Sequence, residues 1–243
     1  MTDIRVAVVQ AGLSTPSTTS RLADTLQGAL VHALEQAGHA AHVQRINLRD
    51  IAVGVTEATL SGIMPEAVEE ALAHVQAAHI LVAVTPTFNA SYSGIFKSFF
   101  DLVEPRSLVG TTAILGATGG TSRHSLVIDM SMRPLFSYLR AMPVPTSIFA
   151  SADDFAGTSS ISARAAAIAS EAVALATHAS TASTGTSPAG QASGSGAAHG
   201  AGGSDGADGS DGVSPALLEE DPVLQSSVGE FVPFSRIARD LHK

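Results

Sequence analysis

Short runs of β-branched and aliphatic residues alternate along the first three quarters of the chain with longer stretches in which apolar side chains recur every three or four positions. The first pattern occupies Ile4–Val9, Ala41–Ile46, Ile80–Val84, Thr111–Leu115 and Val144–Phe149, and it predicts five strands. Runs such as Ile80-Leu81-Val82-Ala83-Val84 are apolar at successive positions, as strands buried on both faces require. The second pattern is clearest from Ser20 to Ala37, where Leu22, Leu26, Leu30 and Leu34 fall on one helical face and Gly38 stops the helix. Further helices are expected from Pro65 to about Ala77, Ser93 to Leu102, Asp129 to Arg140 and Ser160 to Thr177, with a loop holding Gly54 and Gly62 after the second strand. Strand and helix alternate throughout. The order predicts an α/β fold, a doubly wound five-stranded parallel sheet in strand order 2-1-3-4-5.

The 243 residues divide unevenly. Residues 1–179 hold the patterned domain, whereas 180–214 are almost entirely Gly, Ala, Ser, Thr and Asp and predict a disordered linker. The tail 215–243 regains Phe231, Val232, Phe234, Ile237 and Leu241, so it is expected to dock on the domain or on a sister subunit. With no cysteine, disulfides, thiolate nucleophiles and cysteine-bound zinc are excluded. The longest apolar run falls far below the roughly 20 residues of a membrane span, and the amino terminus lacks a signal-peptide core. A cytoplasmic protein is expected. A formal charge of −9 disfavours nucleic acid. The nine histidines show no metal-ligand spacing, and no Gly-x-Ser-x-Gly elbow follows a strand.

In such a sheet a ligand belongs at the carboxyl ends of the strands, near the point where strand order reverses. Three loops lie there. After the first strand comes Ser14-Thr15-Pro16-Ser17-Thr18-Thr19-Ser20, six hydroxyls in seven positions before a helix, followed by Arg21. Hydroxyls and free N–H groups at a helix amino terminus suit a phosphate. After the third strand, Pro86-Thr87-Phe88-Asn89-Ala90-Ser91-Tyr92 mixes donors, acceptors and an aromatic, as a flat heterocycle with polar edges would need. Gly119-Gly120-Thr121-Ser122 follows the fourth strand, where paired glycines let backbone approach a ligand.

The second loop, read on through Ser93-Gly94-Ile95-Phe96-Lys97, resembles the flavin loop of the NAD(P)H-dependent FMN reductases in the flavodoxin-like superfamily. The serine-rich loop is similar to that family's phosphate loop and Gly119-Gly120 to its third flavin loop. The tail sequence Phe-Val-Pro-Phe at Phe231–Phe234 is similar to that of members partnered with luciferase-like monooxygenases. Many relatives carry an arginine inside the phosphate loop; here the nearest in sequence is Arg21.

The resemblance implies hydride transfer from NADPH or NADH to FMN, with reduced flavin passed to a flavin-dependent monooxygenase. FMN would be held by Ser14, Thr15, Ser17–Arg21, Pro86–Tyr92 and Gly119–Ser122, and Arg123, His124 or Lys97 would meet the nicotinamide nucleotide's phosphates. It also implies a homo-dimer or tetramer. Tyr92 stands where flavin-donating members carry an extra tyrosine, in a helix with a local π-bulge. No catalytic acid or base is expected, because the flavin carries the chemistry. Two other readings remain within this fold: a quinone or azo reductase that keeps its flavin, and a flavodoxin-type electron carrier.

Overall fold

The structure, a computed structural model, describes residues 2–155 and 158–183. Residues 184–214 of the expected linker and the tail 215–243 lie outside them. The chain enters through β1 (Asp3–Gln10), α1 (Thr18–Gln36), β2 (Ala40–Asn47), α2 (Ala52–Ser61), α3 (Glu66–Gln76) and β3 (Ile80–Phe88). It continues through β4 (Ser91–Tyr92), α4 (Gly94–Asp101), β5 (Thr112–Gly119), a π turn (Ile128–Met132), α5 (Arg133–Tyr138), β6 (Met142–Pro143), β7 (Ile148–Ser151) and α6 (Thr158–Ser183). Among the described residues, no helix is long and apolar enough to cross a membrane.

The backbone of the sheet runs β2-β1-β3-β5, with β7 parallel to the far half of β5. This is the expected 2-1-3-4-5 order, a flavodoxin-like sheet in which β6 and β7 share the fifth place and β4 is an addition. Each face buries its own core. One face carries Leu22, Leu26, Leu30 and Leu34 of α1 against Ile168, Ala172 and Val173 of α6, over Val6, Val8, Val82 and Ile114. The other carries α2 to α5 over Val9, Leu81, Ala83 and Leu115. Because β1 lies between β2 and β3, the connection to β2 through α1 and the connection from β2 to β3 through α2 and α3 pack on opposite faces, the topology that places a ligand at the carboxyl ends of β1 and β3.

Four expectations are corrected. The loop holding Gly54 and Gly62 is mostly helix: α2 runs Ala52–Ser61 with Gly62 as its cap, and burial of Val55 and Ala58 outweighs the poor helix propensity of Gly54. The fifth strand is broken into β6 and β7, because Pro145 has no N–H to give a neighbour and the carbonyls of Val144 and Pro145 accept instead from the Arg133 guanidinium, at 2.9 and 2.5 Å. The last helix continues to Ser183, past its expected end and into the stretch assigned to the linker. The strand after α3 is longer than its apolar run, reaching Phe88.

An aromatic cluster holds the second face together. Phe96, Phe99, Phe100 and Phe136 are buried, with ring centroids 4.7 Å apart for Phe96–Phe100 and 4.9 Å for Phe100–Phe136. Losing one such ring to alanine typically costs about 3–5 kcal/mol.

At the opposite, amino-terminal edge of the sheet, His79 bridges β1 and β3. Its Nδ1 accepts the Arg5 N–H at 3.0 Å, and its own N–H donates to the Arg5 carbonyl at 2.9 Å. Burial, with the Arg5 guanidinium nearby, holds its pKa below the ordinary histidine value. The unfolded chain therefore takes up the proton first as pH falls, so this contribution is complete above about pH 6.5 and is lost as pH drops through the folded value. Thermal melts from about pH 7.5 to 5.5 should show a declining Tm that flattens in His79→Asn, which keeps an acceptor and cannot titrate. Equal slopes in the two proteins would remove His79 as the cause.

Candidate functional site

The loop after β1 is organised by one buried side chain. Gln10, 3% exposed, ends β1 with its carboxamide turned into the loop. Its Oε1 accepts the Gly12 N–H at 2.9 Å and the Ser20 hydroxyl at 3.1 Å, and its Nε2 donates to Asn47 Oδ1 at 2.6 Å. Asn47 in turn donates to Asp50 at 2.8 Å. The turn is tight: a Cβ on Gly12 would stand 2.2 Å from Ser17 Oγ and 2.9 Å from Gln10 Oε1, so any other residue would displace these side chains. Ser17 is the N-cap of α1, its Oγ accepting the Ser20 N–H at 3.2 Å.

Six hydroxyls were expected to face one ligand, but the structure divides their work. Ser17 caps the helix, Ser20 is spent on Gln10, and Thr19 is buried with its Oγ1 2.8 Å from Thr118 Oγ1. Thr15, before a cis bond to Pro16, accepts from Arg49 Nη1 at 2.6 Å. Ser14 and Thr18 are exposed, and their hydroxyls make no hydrogen bond among the described residues. The latter pair is therefore open to a ligand, together with the N–H groups of the first turn of α1.

The second element is a β-hairpin. Thr87 pairs with Tyr92 and Phe88 with Ser91, and the two-residue connection Asn89-Ala90 has φ of +49° and +68°. Positive φ at both positions marks a type I′ turn, which a composition rich in Pro, Asn and Ser disguised as plain loop. Pro86 lies on β3 opposite Thr118 of β5, and at the hairpin base the Ser93 N–H donates to Thr85 Oγ1 at 3.1 Å. Phe88 is 48% exposed at the tip, whereas Tyr92 packs inward with its ring centroid 5.8 Å from that of Phe96. Tyr92 is thus on β4, and its helix does not begin until Gly94. The expected π geometry occurs elsewhere. It forms at Ile128–Met132, where Ser131 Oγ accepts from Ser91 Oγ at 3.3 Å and so braces the hairpin.

The third element ends β5. Gly119 faces the Phe149 ring, where a Cβ would come within 2.8 Å of Cζ, while a Cβ on Gly120 would meet nothing within 4 Å. Gly120, Thr121 and Ser122 are exposed, with Thr121 Oγ1 capping the short turn of Ser122–His124. The Thr19–Thr118 hydrogen bond ties this element to α1, and the strand pairing of Thr85–Ala117 and Pro86–Thr118 ties it to the hairpin. All three predicted segments therefore meet at one edge.

Arg21 does something different. Its guanidinium lies 4.9 Å from the Phe155 ring centroid, in a cleft of about 200 Å³ that also exposes Asp24 and Asp154. Two carboxylates make that cleft a poor place for an anion. Asp154 accepts the Ser151 hydroxyl at 2.6 Å and the Ser151 N–H at 2.8 Å, and these bonds with nearby Arg164 hold its pKa below the usual carboxylate range. It secures the end of β7. Of the three cations expected near a nucleotide, Lys97 pairs with Asp101, while exposed Arg123 makes no ion pair among the described residues. Sequence reading missed Gln10 and Arg49, since single polar residues at a strand end carry no local pattern.

Comparison with known proteins agrees with this geometry. Residues 4–156 match the NADPH-dependent FMN reductase family. The NADH-dependent FMN reductase SfnE of Pseudomonas putida is 39% identical over 155 residues, 64% of this chain and 81% of that protein. The FMN reductase (NADPH) of Pseudomonas aeruginosa is 34% identical, covering 62% and 78%. An oxidoreductase from Corynebacterium diphtheriae superposes with TM-score 0.69 at 39% identity, over 73% of this chain and 98% of that one. The apo NADH:FMN oxidoreductase EMOB shares the fold, with TM-score 0.60 at 24% identity over 73% and 90%. With the three segments gathered at one sheet edge and the family match running from residue 4 to 156, the chain belongs to the NADPH-dependent FMN reductase family, oxidoreductases that work with FMN and NAD(P)H.

Proposed function

We propose that this chain reduces FMN as a substrate, binding it across the carboxyl edge of β1, β3 and β5 and releasing the reduced flavin to a partner monooxygenase. The residues present fit the group. Thr87 Oγ1 is buried in the hairpin without a hydrogen-bond partner, and such an atom calls for a polar ligand. Gly120 leaves open space just past the end of β5, and Ser14 and Thr18 offer hydroxyls at a helix amino terminus. The phosphate then lies in the Ser14–Ser20 loop and the ring system between Pro86–Tyr92 and Gly119–Ser122. The convergence of these segments on one edge carries the reading.

Bound FMN supplies the hydride-accepting chemistry. The chain's own residues bind and orient. Ser14, Thr18 and the first N–H groups of α1 take the phosphate, while Ser17, Thr19 and Ser20 hold the loop that presents them. Arg123 at the rim receives the phosphates of the nicotinamide nucleotide. Release is favoured because the hairpin offers a single exposed ring, Phe88, whereas Tyr92 is committed to Phe96. We also infer a homo-dimer or tetramer, supported by Leu126 and Met130, 60% and 71% exposed on the segment that braces the hairpin.

Aerobic NADH and NADPH oxidation should depend on added FMN, and protein dialysed at length should come out colourless. Stoichiometric yellow protein active without added flavin would point instead to a bound-flavin quinone reductase. Replacing Ser14 and Thr18 together by Ala should weaken FMN binding about thirtyfold by fluorescence titration with Tm unchanged, since each neutral hydrogen bond contributes about 1 kcal/mol. Wild-type affinity in that variant would remove the phosphate from this loop. Light scattering of Met130→Glu should show a smaller assembly than wild type, and an unchanged mass would exclude this face.

A further inference from the structure

We propose that Arg49 supplies the positive charge that pairs with the flavin phosphate, and so makes the site select FMN over the unphosphorylated flavin. The inference rests on placing the phosphate in the loop after β1. A phosphate monoester carries about −1.5 to −2 charges at pH 7, and a chain of net charge −9 must neutralise it locally. From Gly12 to Ser20 there is no cation. Arg21, next in sequence, is stacked on Phe155 beside two carboxylates.

The other cations are largely committed. Arg45 pairs with Asp24, Lys97 with Asp101 and Arg164 with Asp154, while Arg133 is held by Asp129 and two carbonyls. Arg5 donates to the Ala77 carbonyl at the far edge of the sheet. Arg49 is set apart by its place. Like Arg106, Arg123 and Arg140 it forms no ion pair among the described residues, but its Nη1 donates to Thr15 Oγ1 at 2.6 Å, on the loop itself. One guanidinium N–H is used there, and the other four stay available for an anion.

Its position is fixed from behind. Arg49 follows β2 directly after Leu48, whose N–H donates to the Gln10 carbonyl at 3.0 Å, and Asn47 accepts from the Gln10 carboxamide at 2.6 Å. The residue that shapes the loop therefore also anchors the segment that carries the arginine. A guanidinium placed from a neighbouring strand substitutes for one inside the loop, and charge-assisted bonds of this kind are about twice as strong as neutral ones.

The test is titration of FMN and of riboflavin into the full chain, followed by flavin fluorescence, at low and physiological salt. Wild type should prefer FMN. Arg49→Ala should lose about tenfold or more in FMN affinity and nothing in riboflavin affinity, and its FMN binding should respond less to salt. Arg49→Lys should recover part of the loss, and Thr15→Val should lose less than Arg49→Ala. The side chain is exposed, so melts of all variants should match wild type. An unchanged preference for FMN in Arg49→Ala overturns the inference alone. Equal binding of both flavins by wild type overturns the phosphate placement, and the inference with it.

Discussion

A buried carboxamide has to satisfy an acceptor and two donors or pay for the failure, and at Gln10 that requirement shapes the loop after β1 and ties it to the end of β2. Its oxygen gathers the Gly12 N–H and the Ser20 hydroxyl, which brings the two ends of the loop together. Its nitrogen reaches Asn47 at the end of β2. Gly12 then turns where a Cβ would displace Ser17 Oγ, Ser17 is left to cap α1, and Arg49 is brought to the loop through Thr15. One amide thus links loop shape, helix start and local charge.

The rest of the edge is held by longer-range ties of the same kind. Thr19 meets Thr118 across the mouth of the sheet, and Ser91 meets Ser131 of the π turn. Beneath them the phenylalanine cluster packs α4 and α5 as a rigid floor. At this edge the Ser14 and Thr18 hydroxyls and Thr87 Oγ1 have no hydrogen-bond partner among the described residues. Hydroxyls that serve the fold and hydroxyls left open therefore alternate along one loop. The titrating bridge at His79 lies at the other end of the strands, so its protonation bears on stability and not on the site.

Much of this was legible in the sequence. Strands buried on both faces announce themselves as unbroken apolar runs, and the leucines of α1 lie on one face because that face is buried. The three ligand segments follow from topology once strand order is known. Other features were not legible because their causes are tertiary. α2 forms although Gly54 opposes it, and the π turn falls in the segment after β5, not beside Tyr92. The hairpin was hidden by Pro86 and Asn89, residues that also make ordinary loops. Hydroxyl density could not say that Ser17, Thr19 and Ser20 are spent on the fold. Gln10–Asn47 and Arg49–Thr15 join residues more than 30 positions apart, beyond any local pattern.

The central claim is that one continuous edge, made by the ends of β1, β3 and β5, holds the flavin. Hydrogen–deuterium exchange with and without saturating FMN tests it directly. The account predicts slower exchange at Gly12–Arg21, Thr87–Tyr92 and Gly119–Ser122 together, with the amino-terminal edge around His79 unchanged. Protection confined to the cleft between Asp24 and Phe155, with those three segments exchanging as in the free protein, would contradict it.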